Sequence, residues 1–533
     1  MPPRRIAALY GALVLAFAVV LCRLYLTASN TSYAARAQGQ STVTLTLPAR
    51  RGGFYDCDGL PLTGIETAWY ALCLPGESSY VRLYDAADAA GQGVLYQRRN
   101  AAAPFLLEVS RDVSGLGLYC YGVPRRCCTV PLCQHLIGYL DGEGKGVAGL
   151  EGALDDLLAG TSPRDTITCA VTGQGRLVED TQPVYEAAVT DGAGVRLTIS
   201  RPVQRAVEAV AAETITTGCI LVLDTATAQV RASVSLPGYD PEDVSASLDD
   251  PGSPLLDRTL AAYAVGSVFK PVLAAAAMEA GLDDLTVDCP GYTIVDGQVF
   301  RCASGTAHGT VDLAAALEKS CNGYFIRLGQ ALGPDAVLEA AQSLGFGQSV
   351  SVAGSLRGAA GVLPERSALD SPGQLANFSF GQGQLLATPL QVAAMMNAVA
   401  DGGVYRTPTF VLGTVDESTG QLVEAAPEGT SRRVFSEQTA RRLWELLAGV
   451  VTEGTGHEGA PVHGSAAGKT GTAQTGQFTA DGQEKMNLWF AGFCPADDPK
   501  YTVVVLQDGQ TDPACSSAAI FGQVCEALWL LEE

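Results

Sequence analysis

Residues 264–281 read AVGSVFKPVLAAAAMEAG, with a serine, Ser267, a lysine three positions later, Lys270, then a proline and a run of small apolar residues. The alanine-rich run predicts a helix, and Pro271 marks its start, where at most one backbone bond is lost. Positions three apart on a helix share a face, so the Ser267 hydroxyl and the Lys270 ammonium are expected to approach each other. In a first helical turn the dipole and any desolvation both disfavour the ammonium's charge, which lowers its pKa towards a value useful for taking a serine proton. For an isolated Ser-x-x-Lys the plainer reading, a serine cap beside a solvated lysine, is preferred.

The pair is not isolated. Of six lysines only Lys270 lies three after a serine, and of six asparagines only Asn322 lies two after one, in EKSCNGYF. Lys-Thr-Gly occurs at 469–471, in AAGKTGTAQ. These patterns follow in the order SxxK, SxN, KTG at separations of about 50 and about 150 residues. Each has a physical job in acyl transfer. Ser320 offers a hydroxyl that passes a proton towards a leaving amine, and Asn322 both donates to and accepts from an amide backbone. Lys469 supplies positive charge on a strand where Thr470 and Thr472 donate to a substrate carboxylate. Gly471 removes a side chain where a substrate backbone must lie close.

With these residues the chain resembles the class B, monofunctional penicillin-binding proteins, the peptidoglycan D,D-transpeptidases. RGGFYDCDGLPL (51–62), HLIGYLDGEGKGVAGLEGALDDLLAG (135–160) and LANFSFGQGQLLATPLQVAAMMNAVADGG (375–403) are similar to further stretches of that family. Val265, Val268, Cys57 and Ser200 depart from its usual residues, and none of them is a reacting group. The resemblance implies an α+β fold: a penicillin-binding, serine β-lactamase-like transpeptidase domain, an antiparallel sheet flanked by helices. It also implies that Ser267 attacks the penultimate D-alanine carbonyl of a stem pentapeptide and that Lys270 is the base. Ser320, with Lys270, would protonate the departing D-alanine, and a neighbouring stem's amine would resolve the acyl-enzyme. Asn322, Lys469, Thr470, Gly471 and Thr472 would bind substrate, with the Ser267 and Thr472 N–H groups as oxyanion hole. Peptidoglycan stem peptides and β-lactams are the implied ligands, and a SEDS-family glycan polymerase is the implied partner. No metal or organic cofactor is expected.

Length and composition agree with this. At 533 residues the chain needs more than one core, and its net charge of −22 excludes nucleic acid as a partner. Arg4 and Arg5 precede an uncharged apolar run from Ile6 to Cys22. This predicts a transmembrane signal-anchor with a cytoplasmic N-terminus in a bacterial cell membrane, the remainder being extracytoplasmic. The expected domains are 1–30, cytoplasmic stub and anchor; 31–190, an irregular α+β non-catalytic pedestal; and 191–533, the transpeptidase domain. In the last, strands are expected at 195–199, 219–224 and 229–235, and helices in DLAAALEKSCNGYFIRLGQAL, TPLQVAAMMNAVADGG and SEQTARRLWELLAGVV.

Fifteen cysteines in an exported chain raise the question of disulfides. Cys289 and Cys302 flank PGYTIVDGQVFR, which reads as a hairpin that brings them together. Cys120, Cys127, Cys128, Cys133 and His135 are the one candidate metal cluster, but adjacent cysteines do not give the spacing that structural zinc favours, so thiols or disulfides are expected there.

Rival functions are a D,D-carboxypeptidase or β-lactamase, and a non-catalytic β-lactam sensor or scaffold. A class A β-lactamase needs Glu-x-x-x-Asn after the second motif, and none occurs between 323 and 468. Intact Ser267, Lys270 and Lys469 argue against a sensor.

Overall fold

A computed structural model describes residues 3–30, 41–73, 77–101, 103–115, 117–172, 174, 176–178, 181–189 and 192–532. Residues 31–40, where the pedestal was expected to begin, lie outside the described residues. The chain divides into two compact units: Met1–Arg51, Gly64–Arg126 and Thr161–Asp191 in one, and Gly52–Thr63, Cys127–Gly160 and Gly192–Glu533 in the other.

The first unit contains the helix Pro3–Ala28, exposed along its length and long and apolar enough to cross a membrane. Two three-stranded antiparallel sheets follow. Arg164–Ala170 lies between Thr42–Ala49 and Val184–Glu186, and Thr67–Cys73 lies between Phe105–Val109 and Tyr119–Pro124.

Two early segments belong to the second unit, Gly52–Thr63 and Cys127–Gly160, and the first is tied there by bonds legible in its residues. In RGGFYDCDGL, Phe54–Tyr55 pairs in parallel with Gly194–Leu197. Asp56, fully buried, accepts from the backbone of Asp58 and Leu60, and from Arg201 at 3.1 Å. That last bond supplies an acceptor to the first turn of the next helix, α1 (Arg201–Thr214), whose N-cap Ser200 makes no side-chain cap bond.

The second unit is organised by five antiparallel strands: β1 (Gly218–Asp224), β2 (Val230–Leu236), β3 (Ala467–Phe478), β4 (Glu484–Cys494) and β5 (Tyr501–Gln510), in spatial order β2-β1-β5-β4-β3. Alternation along the strands feeds two cores. Ile220, Val222, Val503 and Val505 pack with Val203, Val207 and Ala211 of α1 and with Phe521 and Val524 of the last helix, Ser517–Glu532. Leu221, Leu223, Val504 and Leu506 belong to a larger core on the other face. That core holds the helix Lys270–Glu279 (α2), the helix Asn322–Leu332 (α3) and the helix Pro389–Ala400 (α4), whose twelve residues are all buried. Thr388 and Gln391 close α4's N-terminus with a reciprocal capping box. Helices around an antiparallel sheet is the architecture expected.

The structure alters two local expectations. Ser267 does not lie on the helix with Lys270. It sits in a 3₁₀ turn, Gly266–Phe269, that runs into α2 at Lys270, with Pro271 in the helix's first two positions. Residues three apart eclipse in such a turn, so the shared face is kept by a different geometry. The DLAAALEKSCNGYF stretch is two helices, Leu313–Glu318 and α3, broken at Ser320, whose φ of +52° is left-handed.

Candidate active site

Four segments converge: the Gly266–Phe269 turn, the start of α2, the Ser320–Asn322 turn and strand β3. Their approach depends on two glycines. Gly266 has φ +65° and donates its N–H to Gly381 O at 2.8 Å; a Cβ there would lie 2.5 Å from the carbonyl oxygen of Thr472. Gly471 presents its missing side chain to Val268 (2.8 Å to Cγ1) and Trp489 (3.1 Å to Cβ). Gly471 was expected to make room for substrate. In the structure its missing side chain also lets β3 lie against the serine turn. Trp489 fastens the same contact, its indole N–H donating to Ala264 O at 2.9 Å.

These contacts predict that Gly266→Ala destabilises the protein by about 1–2 kcal/mol from the left-handed backbone alone, with the overlap on Thr472 adding to it. Thermal melting checks the loss. Labelling with a fluorescent penicillin should weaken in parallel, because Ser267 is the next residue.

Lys270 is fully buried. Its ammonium donates to Ser320 O (2.8 Å), Ser320 Oγ (3.1 Å) and Asn322 Oδ1 (2.8 Å), which accounts for all three donors. It also lies 5.4 Å from the Phe325 ring centroid. Burial pulls its pKa down from 10.5 to about 7, against a smaller opposing effect of Cys321 and Cys302. Asn322 is fixed from its other end, Nδ2 donating to Arg301 O at 2.9 Å. Its amide orientation is therefore set by a donor on one side and an acceptor on the other. Ser267 is half-buried, and among the described residues its hydroxyl has no hydrogen-bond partner.

Lys469 is also fully buried and donates to Thr470 O (3.1 Å) and Thr470 Oγ1 (3.2 Å). Burial, with a further contribution from Lys270, holds its pKa well below the ordinary lysine value. Thr470 is half-buried and also meets Thr455 Oγ1 at 3.0 Å, while Thr472 is exposed. Lys469 and Gly471 therefore lie on the inner face of β3, and Thr470 and Thr472 on the outer, as period-two alternation requires.

The chain outside the three motifs contributes parts that sequence reasoning passed over. Gly266, Gly381, Trp489 and the Arg301 carbonyl all hold the motif residues. Gly266 and Trp489 stand within or beside quoted motifs, so their neighbourhood was visible and their contacts were not. The Cys120–His135 candidate forms no metal-sized cluster among the described residues. His135 Nε2 instead meets Pro254 O at 2.7 Å, and the Cys133 N–H donates to Glu208.

An antiparallel sheet faced by helices, with a serine turn beside a buried lysine, is the architecture of a family that comparison identifies directly. The family model for the penicillin binding protein transpeptidase domain matches residues 218–526, and the chain belongs to that family. Among curated relatives, Penicillin-binding protein PbpB of Mycolicibacterium smegmatis is 32% identical over 75% of this chain and 63% of its own length. Stage V sporulation protein D of Bacillus subtilis is 30% identical over 70% of this chain. The match spans 58% of that relative's own length. Among solved structures, penicillin binding protein 3 from Mycobacterium tuberculosis, complexed with aztreonam, aligns with a TM-score of 0.64 and 25% identity over 92% of this chain and 97% of that one.

Proposed function

We propose that the protein is a serine D,D-transpeptidase that cross-links peptidoglycan stem peptides, releases D-alanine and is acylated by β-lactams. The observation that carries this reading is the buried Lys270, held by three acceptors of the SxN turn and one 3₁₀ turn from Ser267.

Loss of one proton from Lys270 gives a neutral amine with a lone pair and releases one of its three acceptors. That amine takes the Ser267 proton as Oγ attacks the penultimate D-alanine carbonyl. The resulting oxyanion is received by the N–H groups of Ser267 and Thr472. Collapse breaks the C–N bond, and the proton passes from Lys270 through Ser320 to the departing D-alanine amine. A second stem's amine then attacks the acyl-enzyme, and Ser267 recovers its proton. Asn322 aligns the substrate backbone. Thr470 and Thr472 donate to its terminal carboxylate, with Lys469 behind them.

The need for a neutral Lys270 fixes the sign of a pH dependence. Lys270 acts as a base only when neutral, so the acylation rate should rise with pH through about 7, and fall tenfold for each unit below it. Burial disfavours the charge of Lys270, and Cys321 and Cys302 favour it to a smaller extent; Lys270 in turn helps to lower the pKa of Lys469. Stopped-flow acylation by a fluorescent penicillin between pH 5 and 9 reads this profile.

The helix Pro3–Ala28 serves as the membrane anchor. At 26 residues it is about 39 Å long, enough for a hydrocarbon core of about 30 Å. Arg4 and Arg5 place its N-terminus in the cytoplasm and the rest of the chain outside. Residues 1–30 are then the anchor, 31–190 the non-catalytic part and 191–533 the catalytic part, with a SEDS-family glycan polymerase as partner.

The test is to incubate the full-length protein with a fluorescent penicillin and map the adduct by mass. A long-lived penicilloyl group on Ser267 supports the reading. Rapid release of hydrolysed drug would assign a β-lactamase instead, and no adduct on Ser267 would overturn the transpeptidase reading; a β-lactam sensor, which is also acylated, is separated by its failure to form cross-linked product.

A further inference from the structure

The middle residue of the SxN turn, Cys321, is fully buried and belongs to a second constellation. Its sulfur lies 4.0 Å from that of Cys302, which lies 3.6 Å from that of Cys289; the Cys289 sulfur is in turn 3.6 Å from His308 Nδ1. All four donor atoms fall within 4.8 Å of one another. Tetrahedral zinc, with Zn–S of about 2.3 Å and Zn–N of about 2.0–2.1 Å, sets its thiolate sulfurs about 3.8 Å apart and a sulfur and an imidazole nitrogen about 3.6 Å apart. Three of the six separations, 3.6, 3.6 and 4.0 Å, sit near these values, and the other three are no longer than 4.8 Å. A disulfide needs about 2.05 Å between sulfurs, and the three cysteines are free thiols here.

We propose that Cys289, Cys302, His308 and Cys321 bind one zinc ion, and that this ion fixes the Ser320–Asn322 turn against the segment 287–311. Three sulfurs and one imidazole in tetrahedral array select zinc among the biological divalent metals. The chain supplies the four donors from separate places. Cys289 ends the strand Val287–Cys289, which pairs antiparallel with Gly309–Val311 in the register Cys289↔Gly309, leaving His308 one residue away. Its carbonyl accepts from the His308 N–H at 3.0 Å. Cys302 follows the hairpin Tyr292–Val295/Gln298–Arg301, and Cys321 caps α3.

The surroundings suit thiolates. The Tyr324 N–H donates to the Cys321 sulfur at 3.5 Å, and the Asn322 and Gly323 N–H groups face the Cys302 sulfur. All three come from the first turn of α3, where the helix dipole favours negative charge. Gly323 leaves room for the hairpin to approach, since a Cβ there would lie 2.9 Å from Thr293 Oγ1. The three cysteines are 0–3% exposed and His308 is half-buried; four protein ligands with no open position make a structural site. No step of the acyl transfer passes through the metal.

The connection to catalysis is positional, and this part rests on the acyl-transfer reading above. Arg301, next to ligand Cys302, accepts from Asn322; Asn322 and Ser320, either side of ligand Cys321, accept from Lys270. The metal would thereby hold the groups that hold the base. The hairpin was expected to bring Cys289 and Cys302 together, and no metal was expected. The spacing Cys-x12-Cys-x5-His-x12-Cys, with its ligands spread across strand, hairpin and cap, carries no CxxC signal.

The experiment uses the full-length protein in detergent, purified without chelator. Metal analysis should give one zinc per chain, and exchange with cobalt(II) chloride should give thiolate-to-cobalt charge-transfer and tetrahedral ligand-field bands. His308→Ala should lose the metal, and His308→Cys, which restores a fourth soft ligand, should keep it. Absence of stoichiometric metal, or a native Cys289–Cys302 disulfide by peptide mapping, would overturn the site. These readouts do not depend on any enzymatic activity. For the positional part, stripping the zinc should slow penicillin acylation by ~10²-fold, the cost of a misplacement of about 1 Å, with circular dichroism unchanged and the rate restored by zinc chloride. An unchanged rate in the stripped protein would overturn the positional role while leaving the metal site standing.

Discussion

Ser267→Ala is expected to abolish acylation by penicillin, lowering the rate by roughly 10⁶-fold, the scale on which removing a serine nucleophile acts elsewhere. The variant should fold as the parent does. Ser267 is half-buried, its hydroxyl has no hydrogen-bond partner among the described residues, and its neighbours Gly266, Val268 and Phe269 carry the packing of the turn. Deleting one partly exposed hydroxyl removes no structural bond, so the melting temperature should stay within the small range of a surface change. Stopped-flow labelling and a thermal melt on the same preparation separate the two effects. A large loss of labelling with an unchanged melt identifies a nucleophile. A parallel fall in both would mean that the turn itself had failed.

Lys270→Met should cost roughly 10²–10⁴-fold in acylation, the range of a positioned general base. Its structural consequences divide. Methionine fills much of the same space and removes an ammonium whose burial is unfavourable. It also strips the donor from Ser320 O, Ser320 Oγ and Asn322 Oδ1, each costing about 1–3 kcal/mol if left unsatisfied. The two act in opposite directions, so the change in stability is smaller than either, while the change in rate is not offset. A second readout is specific to this lysine. Between about pH 7 and 10.5 the unfolded chain holds a proton at residue 270 that the folded chain has released, so wild-type stability rises with pH across that window. The slope should be shallower in Lys270→Met, with Lys469, depressed in the same direction, supplying what remains.

What could be read from the sequence was whatever the chain states locally or repeats in order. The run Cys219–Asp224 is apolar on both faces, and the strand it forms is buried on both. Val203, Val207 and Ala211 recur at helical spacing, and the helix buries that stripe. Ser267, Lys270, Ser320, Asn322 and Lys469–Thr472 were picked out because three short patterns stood in one order, and the fold brings their segments together.

The remainder was set by contacts between distant segments. Glycine at 471 is explained by Val268 and Trp489, about 200 residues before it and 18 after it. The left-handed backbone at Ser320 breaks a continuous helical pattern, because Cys321 must turn inward and Asn322 must reach both Lys270 and Arg301. Segment 52–63 reads as part of the N-terminal region by position, yet Asp56 bonds to Arg201. The four ligands of the proposed zinc site are separated by 12, 5 and 12 residues, and only the fold reveals their common centre.

In the proposed mechanism Ser267 carries an acyl group from one stem peptide to the amine of another. The direct measurement supplies the full-length protein with a donor stem peptide ending in D-alanyl-D-alanine and an acceptor amine, and follows products by mass. The predicted result is release of D-alanine together with a new amide-linked product, both lost in Ser267→Ala. Release of D-alanine with hydrolysed donor as the sole product at saturating acceptor, or no release by a protein that penicillin still acylates at Ser267, would contradict it.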